Sequence, residues 1–227
     1  MSQELLPCVE LGPQDNPAAT VIWLHGLGAD GHDFVPIVQE LGLPGVDGVR
    51  FVFPHAPSMP ITINGGMVMP AWYDIEEVDL KRKHDMKGVE TSALALTALM
   101  ERELVRGVPP ERLLLVGFSQ GGAMALHVGR MAGHPLAGIV GLSTYMVSEE
   151  APPRKTSEAR DPVPIFLGHG VFDPMVPLAR GQAGRARLGE LGHDVQWHEY
   201  PMEHEVCLEE IRDLGTWMSA RLGLSDG

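Results

Sequence analysis

Residues 112–126 read RLLLVGFSQGGAMAL: an apolar run, then a lone serine flanked by glycines, then a second apolar stretch of different period. The first part has the unbroken apolar character of a strand buried on both faces, and the last part reads as a helix, so the chain must reverse sharply at Ser119. Such a turn forces the serine into a strained backbone conformation. Gly117 and Gly121 leave room for it, because neither brings a Cβ into the reversal. The hydroxyl is thereby thrust out at the carboxyl edge of whatever sheet the strand belongs to.

The rest of the chain supplies such a sheet. Short apolar runs at Thr20–Leu24, Val49–Phe53, Arg112–Val116, Ala137–Leu142, Val163–Leu167 and Asp194–Tyr200 alternate with longer amphipathic stretches. The helical candidates are Asp33–Glu40, Met86–Val105, Ser119–Met131, Pro177–Leu191 and Glu205–Leu222, with apolar residues three and four apart. Pro109 and Pro110 stop one segment and Gly192 another. This alternation predicts an α/β fold with a mostly parallel central sheet and helices on both faces, and one domain over residues 1–227. Two stretches fall outside the pattern, near 54–83 and 144–164. Both are rich in turn formers and are expected to be long loops, of the kind that serve as lids or binding loops.

Gly117-Phe118-Ser119-Gln120-Gly121 between strand and helix is the nucleophile elbow of α/β-hydrolases. The Gln120 backbone N–H, at the positive end of the following helix, is placed to donate to an oxyanion. A serine hydroxyl is a weak nucleophile at neutral pH, so the elbow requires an acid and then a histidine further along. Asp173 follows the apolar run Val163–Leu167 in the loop GHGVFDPMVP, and His204 follows the next run in the loop PMEH. The chain has ten histidines. His25 and His169 precede glycines at strand ends, where bonding to loop backbone is expected. His32, His84, His127, His134 and His193 are expected to be solvated, His55 comes too early in chain order, and His198 lies inside a strand. Asp161 and Asp194 lie before or at the start of strands. Ser119, Asp173 and His204 are therefore the expected triad. A second oxyanion donor belongs in the loop after an early strand, and WLHGLG at 23–28 assigns it to the Leu27 amide.

Two other motifs compete. GLGADG at 26–31 spells a dinucleotide fingerprint, but the next strand runs into Pro54 and His55 where a ribose-binding acid belongs, and Asp30 would face the pyrophosphate. HEVCL at 204–208 begins like a zinc-protease helix, with Leu208 where the second histidine is needed. Neither a metal nor another cofactor is expected.

A formal net charge of −13 disfavours nucleic acid and anionic bilayers. With 44% hydrophobic and 21% charged residues, the chain can bury a sizeable core. Two cysteines, Cys8 and Cys207, make no disulfide framework, and the first eight residues lack a signal-peptide pattern, so a cytoplasmic protein with no membrane insertion is expected.

LHGLGADG at 24–31, PHAPSMPITINGG at 54–66, MPAWYDI at 69–75, GFSQGGAMAL at 117–126, HGVFDPMVP at 169–177 and YPMEHEVCLEEI at 200–211 together resemble the carboxylesterase and phospholipase family that includes the acyl-protein thioesterases. The resemblance spans nearly the whole chain. It implies the same triad and oxyanion amides, and an acyl-binding groove to which Met69, Tyr145 and Met175 contribute. Glu203 departs from the family pattern, which has a small or apolar residue before the histidine; a carboxylate there is expected to raise the His204 pKa. The resulting expectation is a serine carboxylesterase acting on short to medium acyl esters or thioesters, soluble esters over aggregated lipid. An acyl-protein thioesterase or lysophospholipase is the alternative within the family, and a non-catalytic acyl-binding protein the alternative outside it. A homodimer is left open.

Overall fold

The computed structural model describes residues 5–76, 85–147 and 162–225. In chain order its strands are β1 (Cys8–Leu11), β2 (Ala19–Leu24), β3 (Val49–Pro54), β4 (Ser58–Ile61), β5 (Met67–Pro70), β6 (Leu113–Phe118), β7 (Gly138–Leu142), β8 (Ile165–Gly170) and β9 (Val195–Tyr200). Its α-helices are α1 (Met86–Val105), α2 (Gln120–Met131), α3 (Leu178–Glu190) and α4 (Leu208–Leu222). Seven strands make one sheet in the order β1-β3-β2-β6-β7-β8-β9, parallel throughout except for β1, which runs antiparallel to β3. This is the α/β-hydrolase architecture expected from the alternating pattern. The chain moves from β2 outward to β3, then crosses back to place β6 on the other side of β2. That reversal opens a crevice between the carboxyl ends of β2 and β6, where open parallel sheets bind their ligands.

Period-two alternation along the central strands separates two cores. Ile22, Leu24, Leu113, Leu115 and Ile139 face the side covered by α1, α2 and α3. Val21, Trp23, Leu114, Val116 and Val140 face the side covered by α4 and by a short 3-10 segment, Val35–Gln39. Because both faces are covered, these strands read as unbroken apolar runs.

The predicted strands and the four longer helices appear with ends shifted by a few residues. Asp85 caps α1, its carboxylate accepting from the Gly88 amide, while α4 starts only at Leu208. Three elements differ from expectation. The helix predicted over Asp33–Glu40 is the 3-10 segment, too short for α-helical propagation and carrying Pro36 in its first turn. The stretch near 54–83 is not one loop, since β4 and β5 pair antiparallel there as a separate hairpin. The edge strand β1 is not among the expected strands; its four residues are only half-buried and show no apolar run. In the stretch near 144–164, Tyr145, Met146, Val147 and Val163 are core residues, and 148–161 lie outside the described residues.

Two buried charges mark opposite electrostatic solutions. Arg50 of β3 and Glu103 of α1 are fully buried and meet at 2.6 Å. The Arg50 guanidinium also donates to the Pro13 and Gln14 carbonyls, and Arg102 and Arg106 bond the same Glu103 carboxylate. Burial alone would raise the Glu103 pKa, but these hydrogen bonds and cations hold it below the usual range. Glu210 of α4 is fully buried as well, yet neither carboxylate oxygen finds a hydrogen-bond partner among the described residues. Desolvation, with Asp213 nearby, pushes its pKa up to about 8.

From about pH 4.5 to about pH 8 the folded chain therefore keeps a proton on Glu210 that the unfolded chain has released, so stability falls as pH rises through that interval. Denaturant unfolding of wild type between pH 5 and pH 8.5 should show a loss on the order of a few kcal/mol that Glu210→Gln does not share. Parallel pH profiles for the two proteins would place the ionised carboxylate in the native state.

Candidate active site

The sheet register brings the sequence-predicted residues to one edge. Leu24 pairs with Gly117, Phe118 with Leu142, and Gly170 with Tyr200, so the loops that leave β2, β6, β8 and β9 share a rim. Ser119 sits at φ 53°, ψ −119°, the strained geometry expected of an elbow. Its amide donates to the Leu142 carbonyl at 2.9 Å, and its carbonyl accepts from the Ala123 amide at 3.1 Å and the Thr144 hydroxyl at 2.6 Å. A Cβ at Gly117 would collide with the Gly121 carbonyl, and one at Gly121 with the carbonyls of Leu24 and His25. Both glycines are therefore packing requirements of the turn.

The Asp173 and His204 loops are stitched together beyond the sheet: the Val171 amide donates to the Tyr200 carbonyl and the Phe172 amide to the Met202 carbonyl. This continuation sets His204 Nε2 at 2.9 Å from Ser119 Oγ and His204 Nδ1 at 2.7 Å from Asp173 Oδ2. The Asp173 side chain is fully buried. Its other oxygen, Oδ1, accepts from the amides of Met175 and Val176, both at 2.8 Å. Burial would raise this carboxyl, but the bonds from His204 and the two amides outweigh it and hold its pKa below the usual carboxylate range. The Asp173 carboxylate thus stays charged and orders the imidazole. Phe118 packs against the His204 ring with centroids 4.8 Å apart.

A cavity of about 340 Å³ opens at the hydroxyl, lined by Leu27, Ile63, Met69, Phe118, Ser119, Gln120, Tyr145, Met175 and His204 among others. Every predicted site residue except the buried Asp173 thus lines one space. Leu27 and Gln120 line this space, and Gln120 opens α2, where the first amides of a helix have no carbonyl partner within it. Tyr145 is buried with its hydroxyl 2.7 Å from that of Tyr73, while Met175 stands at the mouth, 62% exposed.

The side chain of Gln120 has a role that the sequence reading did not find. Its Oε1 accepts from the Trp72 amide at 2.9 Å and its Nε2 donates to the Tyr73 carbonyl at 2.7 Å. Trp72 Nε1 donates to the His25 carbonyl, Ser92 Oγ to the Trp72 carbonyl, and the Gly28 amide to the Pro70 carbonyl. The β4–β5 hairpin, the glycine-rich loop after β2 and the elbow are thus one hydrogen-bonded body. The only sequence trace of this is a buried-type residue mixture in PAWYD, because contacts between residues almost 50 positions apart leave no periodic signal.

The chain matches the family model described as phospholipase/carboxylesterase over residues 9–222. The chain belongs to the phospholipase/carboxylesterase family. It is a serine hydrolase. Acyl-protein thioesterase 1 of Neurospora crassa is 41% identical over 215 residues, covering 90% of this chain and 87% of that protein. Acyl-protein thioesterase 1 of Gibberella zeae is 38% identical over 213 residues, covering 90% and 91%. Among solved structures, Arabidopsis thaliana SOBER1 superposes with a TM-score of 0.84 at 29% identity, covering 90% of this chain and 99% of that one. Zea mays acyl-protein thioesterase 2 gives 0.81 at 28% identity over 96% and 99%.

The remaining histidines divide by tautomer and burial. His25 is buried, Nδ1 donating to the Gly26 carbonyl and Nε2 accepting from the Ala56 amide, in line with a loop-bonding role; burial pushes its pKa below the usual value. His127 is half-buried instead of solvated, and burial lowers its pKa too. His84 lies outside the described residues. Asp30, His32 and His55 offer donor atoms within 4.8 Å of one another. However, His55 Nδ1 accepts from the Gly31 amide, which puts the ring proton on Nε2 and leaves this imidazole no lone pair for a metal. Glu203 is exposed and makes no ion pair with His204 among the described residues, so no contact carries the expected influence on the imidazole.

Asp173→Asn should preserve the fold and lower turnover by about 10³- to 10⁴-fold, because an amide holds the imidazole in the wrong tautomer. Steady-state kinetics on an activated ester tests this, and a loss below about tenfold would mean that the carboxylate does not orient His204.

Proposed function

We propose that Ser119, His204 and Asp173 form a catalytic triad that hydrolyses medium-length acyl thioesters and esters through an acyl-enzyme. The observation that carries the reading is the continuous chain of contacts Ser119 Oγ, His204 Nε2, His204 Nδ1, Asp173 Oδ2, at 2.9 and 2.7 Å, opening onto an apolar cavity. Ser119 Oγ attacks the substrate carbonyl carbon while His204 Nε2 takes its proton. The developing oxyanion is held by the Leu27 amide of the loop after β2 and the Gln120 amide at the α2 N-terminus. His204 then returns the proton to the departing thiolate or alkoxide, leaving acyl-Ser119. A water, deprotonated by the same imidazole, attacks this ester and releases the acid and the free serine. Asp173 stays ionised and stabilises the imidazolium formed in each half.

The substrate class follows from the lining. A cavity of about 340 Å³ is at the small end of ligand sites, which suits one acyl chain lying past Met69, Ile63 and Tyr145. The names of the related proteins, acyl-protein thioesterases, favour a thioester as the bond cleaved. Among the described residues no helix is long and apolar enough to cross a membrane. In this reading the chain works as one hydrolase domain, cytoplasmic, on acyl groups presented by a soluble carrier or protein, and without a cofactor.

A non-catalytic acyl binder of the same fold would not need an activated serine. A fluorophosphonate should label the wild type stoichiometrically and fail to label Ser119→Ala. Across a series of p-nitrophenyl esters and acyl-thioesters, kcat/KM should pass through a maximum at intermediate chain length. Undiminished labelling of Ser119→Ala would dispose of the assignment, and a monotonic fall from acetyl onward would dispose of the medium-chain groove.

A further inference from the structure

We infer that His169 is a positioning residue for the catalytic acid, holding the loop that presents Asp173 through one hydrogen bond to the Val176 carbonyl. The inference rests on reading Ser119, His204 and Asp173 as the triad, but concerns a residue that touches neither substrate nor reacting atoms. His169 is the penultimate residue of β8 and is 1% exposed. Its Nε2 lies 2.8 Å from the Val176 carbonyl. A carbonyl only accepts, so the proton is on Nε2 and the ring is in a single tautomer. The same nitrogen lies 3.8 Å from Asp173 Oδ2.

Val176 is the hinge of the arrangement. Its amide donates to Asp173 Oδ1 while its carbonyl accepts from His169, so one residue is gripped from both ends. The His169 bond holds the far end of the 173–176 turn, whose near end is held by the Asp173 amide on the Gly170 carbonyl. The imidazole itself has little freedom: it stacks on Trp197 with centroids 5.9 Å apart, and a Cβ on Gly181 of α3 would lie 2.6 Å from its Nδ1. Burial keeps its pKa below the ordinary histidine value, which supports a neutral ring at working pH; Asp173, His204 and Glu199 are the charged or titratable groups around it. His169 thus supplies rigidity and a fixed dipole where a second cation beside the triad would compete with the imidazolium of His204.

The test compares His169→Gln, His169→Asn and His169→Leu. A glutamine amide can place a donor near the Nε2 position, whereas an asparagine donor ends near Nδ1 and leucine has none. His169→Gln should keep kcat within a few fold of wild type, while His169→Asn and His169→Leu should lose on the order of 10²-fold in kcat, with KM nearly unchanged. The acid limb of kcat/KM should move to lower pH in the latter two, and the downfield proton resonance of the His204–Asp173 hydrogen bond should weaken. Should leucine fail to fold, the glutamine and asparagine variants alone decide. Equal activity in those two, or an unaltered pH profile and proton resonance in a folded His169→Asn, would overturn the inference. Loss of fluorophosphonate labelling in Ser119→Ala tests the triad separately, so a failure of one claim is distinguishable from a failure of the other.

Discussion

Ser119 can be held in its unfavourable backbone conformation only because the chain on both sides of it is fixed. Strain of this kind costs about 1–3 kcal/mol and persists where neighbouring structure over-determines it. Here β6 lies between β2 and β7 in the middle of the sheet, the Ser119 amide is bonded to Leu142, and its carbonyl is bonded to Ala123 and Thr144. Three such bonds at about 1 kcal/mol each are enough to offset the strain. The glycines at 117 and 121 allow the α2 N-terminus to approach β2 closely, which brings the Gln120 amide and the loop after β2 to the same cavity. A side chain at either position would separate the hydroxyl from Leu27 and Gln120 before it affected the hydroxyl itself.

Around that fixed turn the other parts are tied by hydrogen bonds rather than by apolar contact alone. The Gln120 side chain grips the Trp72–Tyr73 backbone, and Pro70 grips Gly28, so the wall of the cavity is tied to the loop after β2. On the opposite side, backbone bonds from Val171 and Phe172 to the β9 loop fix the separation of acid and imidazole. Phe118 then links the two halves, with the His204 ring on one side and Phe34 on the other. The distances among Ser119, His204 and Asp173 are thus set by the sheet register, with little left to side-chain rotamers.

Much of this was legible in the chain because it is written in local patterns. The central strands read as apolar runs since both of their faces are covered, and the elbow is confined to five residues. Asp173 and His204 each follow such a run at a fixed position in chain order, so the residues that meet at Ser119 could be named without contacts. The β4–β5 hairpin was hidden because its exposed Met67 and Val68 and its prolines break the alternation that marks a strand. The segment Val35–Gln39 has the apolar spacing of a helix but not its length. The Arg50–Glu103 pair, the orphaned carboxylate of Glu210 and the clamp made by the Gln120 side chain join residues far apart in sequence. Nothing in the local residue pattern distinguishes such charges from ordinary surface groups.

The most direct measurement of the central claim is a crystal structure of the protein inactivated by an alkyl fluorophosphonate. Phosphorus should be bonded to Ser119 Oγ, with the phosphoryl oxygen within hydrogen-bond distance of both the Leu27 and Gln120 amides and His204 Nδ1 still on Asp173. Phosphorus on another residue, or a phosphoryl oxygen turned to solvent away from both amides, would contradict the idea that the strained turn exists to bring these groups together.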